Sequence, residues 1–410
     1  MSTPQVDVTQ LIQKDLDAWT AVLRRYLDDG RVRVTAVFAE ALDRRTGQRY
    51  TPTLTRYTLT LAGASDPITC IGKRTNAAEA GFYADLAPLH TVAPGCWFSQ
   101  PTADGSWVLL DDVPNDVPPD KWAAADAQNL IHQLASCHAP YWDQPQVLAQ
   151  YDWLPRLFAR ERPYTWRDLH SQHRSLLTEG PGALISEHAI YHAGPFAPAF
   201  LQAANGVAVM RSLNGWPGVL GESHLAAAAD LLDDPVPMLS RLRDLPVTLL
   251  HGQPVNRHWR VTLFEDQRLL DWQKTAVGPG VWDLVTFIEQ FDLLPAPDLP
   301  WQITLRTDTP ATAETLVDTY MLAMRARLGH AFNARDVRQA LSAAHCLYVL
   351  TTWFPHFASW FAEMPNAYTW QKVNRMPDTD LVGTRFESLI GYRDHLSGVF
   401  QRFLQAYRQL

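Results

Sequence analysis

Residues 249–260 read LLHGQPVNRHWR, and residues 269–284 read LLDWQKTAVGPGVWDL. Short β-like runs, PVTLLHG, WRVTLF and RLLDW, surface here inside a half of the chain that otherwise has helical spacing. The polar residues at and after those runs are the first candidates for chemistry: His251, Gln253, Asn256, His258, Asp271 and Asp283. The Gln253 amide is neutral, takes up no proton near pH 7 and can only hydrogen-bond.

Working outward toward the N-terminus, RVRVTAVFAEAL, TLTRYTLTLA and ITCIGKRT alternate β-branched with polar residues around Gly-containing breaks. This pattern predicts a three-stranded antiparallel meander. NAAEAGFYADLAPLH follows with helical spacing, and SWVLLDDVPNDVPPD then reads as an edge strand running into a Pro-rich linker near residues 113–120. In DKWAAADAQNLIHQLASCHAPYW, Leu130, Leu134 and His138 share one helical face, with Asp120 as the expected N-cap. The expected architecture is α+β: a small β-rich lobe over residues 1–113 and a larger, mainly helical lobe over 114–410, with a cleft at the linker.

The 410 residues exceed what one core usually serves, in keeping with two lobes. Apolar residues are 47% and charged residues 19%, an ordinary globular balance. A net charge of −8 without a basic run argues against a nucleic-acid partner. Cys70, Cys96, Cys137 and Cys346 lack CxxC pairing or metal-ligand spacing, which suits free thiols in a reducing, cytoplasmic setting. MSTPQVDVTQLIQKDLDAW has no basic start and no apolar run, so it does not read as a signal peptide. Residues 341–362, LSAAHCLYVLTTWFPHFASWFA, are long enough for a membrane span. Their two His, their Pro and their missing basic flanks instead predict a buried helix pair broken near Pro355, and no membrane partner.

Four motifs in this order resemble the aminoglycoside and choline kinase-like phosphotransferase family, in particular its ecdysteroid-kinase-like branch, over about residues 35–350. The resemblance implies a protein-kinase-like two-lobe fold and a small-molecule O-phosphotransferase using ATP or another nucleoside triphosphate with Mg²⁺. In IGKRTNAAEAGFYADL it gives Lys73 the phosphates and Glu79 the task of holding that lysine. In WVLLDDV the backbone of Leu110, Asp111, Asp112 and Val113 would meet an adenine edge. LASCHAPYWD is similar to a helix end of the family, with His138 and Trp142 read as packing residues.

The fourth motif departs from the family. There a strand delivers His-Gly-Asp, then four residues, then Asn, and a later Asp precedes Trp. This chain has His251, Gly252 and Gln253, then four residues, then His258, with Asp271 in the later place and Asp283 as the structural brace of the loop. A His nitrogen is a poor partner for Mg²⁺, which prefers oxygen, whereas imidazole suits transition metals. A one-gap realignment offers Asn256 as the metal ligand instead. The connection DRRTGQRYTPT, with Gly47 alone, lacks a Gly-rich phosphate cradle. The leading expectation is a hydroxyl-directed kinase with an altered centre, Gln253 orienting the acceptor and Asp271 holding the metal. The alternatives are a pseudo-kinase that binds a nucleotide or small molecule, or a repurposed enzyme on the same fold. Trp353, Phe354, Phe357 and Trp360 are either core or a wall for the small-molecule acceptor. The sequence leaves that acceptor and the oligomeric state open.

Overall fold

The computed structural model describes residues 6–42, 53–103, 105–159, 165, 167–169, 185–264, 266–295, 303–306, 308, 310–361, 364–384 and 386–410. The β1–β2 connection with Gly47 lies outside the described residues. The chain divides into two compact units. The first takes Met1–Pro118, Tyr151–Pro155 and His258–Thr275, and the second takes Pro119–Gln150, Arg156–Arg257 and Ala276–Leu410.

The first unit opens with helices α1 (Val8–Ile12) and α2 (Leu16–Leu27). The Asp15 carboxylate accepts from Asp17 N and Ala18 N, which caps α2 and fixes where it begins. Strands β1 (Val34–Ala41), β2 (Leu54–Leu61), β3 (Ile68–Thr75), β4 (Cys96–Thr102) and β5 (Gly105–Asp111) make one antiparallel sheet in the order β1-β2-β3-β5-β4. The expected meander is β1 to β3. Trp19, Val22 and Leu23 of α2 bury against Tyr57, Leu59, Trp107 and Leu109 of the sheet. On β3 the residue between Cys70 and the exposed Arg74 is a glycine for a packing reason. A Cβ at Gly72 would stand 2.7 Å from both the Tyr57 and Trp107 rings.

The run SWVLLDD is not an edge strand. β5 lies between β3 and β4, and five consecutive residues, Ser106–Leu110, are buried. A strand covered on both faces reads as a continuous apolar run, and such a run alone does not tell an inner strand from an edge one. After β3 come helix α3 (Ala77–Gly81) and a wider turn over Phe82–Leu86. A short antiparallel ribbon, Trp259–Val261 with Gln267–Leu269, completes this unit.

The second unit is helical: α4 (Ala124–His138), α5 (Pro145–Leu148), α6 (Glu187–Ala193), α7 (Ala197–Ser212), α8 (Glu222–Asp233), α9 (Val236–Arg243), α10 (Val281–Gln290), α11 (Ala313–Leu328), α12 (Ala334–Trp360), α13 (Ala367–Asn374), α14 (Asp378–Leu381) and α15 (Glu387–Tyr407). Thr248–Leu250 and Ala276–Gly278 pair antiparallel within it. α4 starts at Ala124, not after Asp120, because the Asp126 carboxylate turns back to accept Ala123 N at 2.8 Å. α12 is one continuous helix with Pro355 inside. The proline removes one ladder donor, but Trp353, Phe354 and Phe357 on either side of it are buried, and α12 packs on α7 and α15. At the α7–α12 crossing, a Cβ on Gly206 would fall 1.9 Å from the Phe354 carbonyl oxygen, so only glycine admits the approach. Among the described residues no helix is long and apolar enough to cross a membrane.

Candidate functional site

In the first unit, β3 turns straight into α3 through Asn76, whose side chain accepts Glu79 N at 2.9 Å. Lys73 and Thr75, two apart on a strand, point to the same side, and the tight connection brings Glu79 back to both. Lys73 Nζ lies 2.9 Å from Glu79 Oε1 and 2.8 Å from Oε2. The Thr75 hydroxyl donates to Glu79 as well, and Trp272 N donates to it at 2.9 Å. Glu79 is wholly buried and Lys73 nearly so. Removing two such charges from water costs several kcal/mol each, about what a pair with this many hydrogen bonds can offset.

Lys73 Nζ also reaches Asp271 Oδ1 at 2.5 Å, and the other oxygen of that carboxylate faces His258 Nε2 at 3.2 Å. Asp271 has φ 64°, the left-handed region, an uncommon backbone state for a non-glycine residue and one that gathers at functional sites. It is held there by its neighbours. Trp272 stacks on Phe82 at 3.8 Å between centroids, its Nε1 donates to Leu269 O at 2.8 Å, and Asn76 Nδ2 donates to Gln273 O at 2.9 Å. The structure therefore brings Lys73, Glu79, Asp271 and His258 into one cluster. Sequence reasoning missed Thr75 and the Trp272 amide. Thr75 was findable from its strand spacing to Lys73, while a backbone donor leaves no residue-type signal.

In the second unit the strand Thr248–Leu250 leads into the loop His251–Arg257. Asp283, in the first turn of α10 and wholly buried, accepts His251 N at 2.7 Å and Gly252 N at 2.8 Å. Its Oδ2 also faces His138 Nε2 at 3.3 Å, and His138 Nδ1 meets the Tyr320 hydroxyl at 2.8 Å. Gly252 sits at φ 85°, which an L side chain resists. Gln253 follows, half-buried, its own N–H donating to His251 Nδ1 at 3.2 Å. Asp283 thus shapes the loop and His138 supports Asp283 from the core.

Asn256 does different work. Its Nδ2 donates to the carbonyls of Gln290, Phe291 and Leu293 at 3.0, 2.8 and 3.2 Å, and its Oδ1 is buried. Those bonds use the Nδ2 side of the amide and tie the loop to the end of α10. Leu110 and Asp111 belong to the sheet ladder, opposite Ile71 and Cys70, and the Asp111 carboxylate takes the Tyr26 hydroxyl, Trp97 Nε1 and Gly95 N. Asp112 and Val113 lie past the strand end, with Asp112 paired to Arg56 at 2.7 Å. Trp353, Phe354 and Phe357 are core, and Trp360 is half-buried beside His356 and Tyr392. A cavity of about 590 Å³ in this unit is lined by Arg241, Asp244, Asp336, Arg338 and neighbours, with no residue of the 251–257 loop. All four cysteines are free. Burial pushes the Cys96 and Cys137 thiols up to about 12 and raises those of Cys70 and Cys346 too, so none is poised as a nucleophile.

Of the expected ligands, Asp271 has one oxygen on the Lys73 ammonium and the other on the His258 imidazole, and His258 is a nitrogen donor, which Mg²⁺ takes poorly. Among the described residues no group of three or more His, Cys, Asp or Glu side chains could hold a metal ion.

No protein-family model and no curated protein matches the sequence. Solved structures are similar to it over most of its length. One is a choline kinase from Cryptosporidium parvum Iowa II, at 11% identity over 98% of this chain and 95% of that chain, TM-score 0.47. Another is an aminoglycoside phosphotransferase from Alicyclobacillus acidocaldarius, at 13% over 90% and 92%, TM-score 0.42. A third is a spectinomycin phosphotransferase in complex with ADP and spectinomycin, at 12% over 100% of both chains, TM-score 0.41.

Proposed function

We propose that this chain is a small-molecule phosphotransferase with an altered centre: Lys73 binds the phosphates of ATP or a related nucleotide, and Gln253 orients the hydroxyl of the acceptor. The observation that carries this reading is the double engagement of Lys73, whose ammonium meets Glu79 on one side and Asp271 on the other. A lysine held this way is preset for a phosphate, and phosphoryl transfer depends mainly on positioning and charge neutralisation. Gln253 supplies a hydrogen bond and no base, so transfer is slow; general-base help is worth about 10² to 10⁴-fold.

The test is ADP affinity by calorimetry, then ATP consumption against a panel of hydroxylated compounds. Lys73→Ala should abolish ADP binding, and Gln253→Asp should raise consumption about 10²-fold or more. Binding that survives Lys73→Ala would overturn the assignment. Nucleotide binding with no consumption in either form would instead make the chain a ligand-binding protein on this scaffold, the reading that the neutral Gln253 favours.

A further inference from the structure

We infer, building on the Lys73 reading above, that the side chains of Arg56 and Asp112 read the base of the nucleotide and select guanine over adenine. All the residues concerned belong to the first unit.

The first observation is the face of the sheet on which the pair lies. Side chains directly opposite each other in a ladder share a face. Leu54 stands opposite Lys73, Arg56 opposite Ile71, and Ile71 opposite Leu110. They therefore lie on the Lys73 face, while Tyr57, Cys70 and Leu109 alternate with them and join the core beneath α2. Arg56 is on β2 and Asp112 follows β5, with β3 running between those strands. Their bridge consequently crosses β3 at Ile71, two residues or about 7 Å along the strand from Lys73. A nucleotide with its phosphates on Lys73 and its base directed toward Leu110–Val113 meets this pair.

The second is spare bonding capacity. Arg56 spends Nε and Nη2 on Asp112, at 2.7 and 3.3 Å. A guanidinium has five N–H donors and a carboxylate about four lone-pair sites, so half or more of each group is left over. The Arg56 side chain is 40% exposed, and Nη1 forms no bond among the described residues. Glu40 stands opposite Arg56 on β1. Two neighbouring carboxylates make this guanidinium a poor phosphate ligand and a good donor to a neutral carbonyl.

The third is the main chain. Leu110 pairs on both sides, with Ile71 and Cys96, and Asp111 N donates to Gly95 O at 2.9 Å. Pro114 has no N–H. The backbone here is short of donors for a base, which leaves the reading to side chains.

Side by side, the two groups present a donor next to two acceptors. Guanine is the complement: its O6 accepts from Arg56, and its N1–H and N2–H donate to the two oxygens of Asp112 in one charge-assisted, bidentate contact. Adenine brings a single donor, N6–H₂, beside the acceptor N1. One bond then goes to each partner, and one carboxylate oxygen is left unmet.

The experiment measures the affinity of the full chain for GDP, IDP and ADP by calorimetry. IDP keeps O6 and N1–H and lacks only the 2-amino group. The expected order is GDP, then IDP, then ADP, with GDP about tenfold or more tighter than ADP. Asp112→Asn, which puts an N–H₂ in place of one acceptor, should remove most of that preference. The comparison of the three nucleotides on the unsubstituted protein stands even where the variant folds poorly. IDP as tight as GDP, or ADP as tight as or tighter than GDP, overturns the inference and makes the pair a structural bridge. Binding that still depends on Lys73 would then keep the phosphate assignment, whereas no binding of any of the three overturns both.

Discussion

The Lys73 cluster and the His251–Arg257 loop divide charge and frame in opposite ways. In the cluster Lys73, Glu79 and Asp271 bring charge, and His258 joins their network through Asp271. In the loop the frame is intact, with Asp283 still holding two successive amides, yet the side chain that the frame presents is a neutral amide. A frame and the group it carries are thus separable. The frame rests on Asp283 and not on the side chain at position 253, so the two can vary independently.

That separation can be broken most directly at Asp283. Asp283→Ala leaves two buried N–H groups and His138 without their acceptor, an expected loss of about 3–5 kcal/mol in urea unfolding. Gln253→Ala on the same loop should stay within about 0.5 kcal/mol. Comparable losses from the two substitutions would show that frame and group are one unit after all. In the cluster, Glu79→Gln keeps the shape and removes the charge. Because Asp271 still pairs with Lys73, the expected loss is smaller, about 2 kcal/mol, accompanied by weaker ADP binding. Unchanged stability would mean that Asp271 alone suffices to settle the buried ammonium.

Acid should act on the helical unit most strongly through two groups that no part of the cluster shares. Burial lowers the His395 imidazole to about 4. Burial alone would raise the Glu289 carboxyl, but His345 and Arg402 bring it down to about 2. Both native values lie below their ordinary ones, so each contribution is present above the ordinary pKa and lost on acidification. For His395 the window runs from 6.5 down to about 4, and for Glu289 from 4.5 down to about 2. Urea midpoints should therefore fall in two stages, and His395→Gln should shrink the first, to which His132, His192, His224 and His356, also lowered by burial, contribute as well. A flat profile between pH 6.5 and 4 in the unsubstituted protein would contradict the burial of that ring.

Much of this was legible in the sequence because it is local. The meander from β1 to β3 shows in strand alternation, and Lys73 and Glu79 are six residues apart across a single cap. Asp271 and Asp283 could be named from residue type and order. What was not legible depends on partners far along the chain. The inner place of β5 is decided by β3 and β4 flanking it, and an apolar run looks alike whether one face or two are covered. The grouping of His258–Thr275 with the first unit is likewise a matter of packing, invisible to spacing. Pro355 misled because its cost is local and certain, while the burial of Trp353, Phe354 and Phe357 that outweighs it emerges only when α12 meets α7 and α15. Nothing in the spacing showed that the Asn256 Nδ2 would bond three carbonyls at the end of α10.

The meeting of α7 and α12 carries a warning for anyone engineering this chain. Swapping helical glycines for alanine is a routine way to stiffen a protein and usually gains about 0.5–1 kcal/mol. At Gly206 the added methyl would be driven into the Phe354 carbonyl oxygen, so the same edit would pry the two helices apart and loosen the aromatic core that they share.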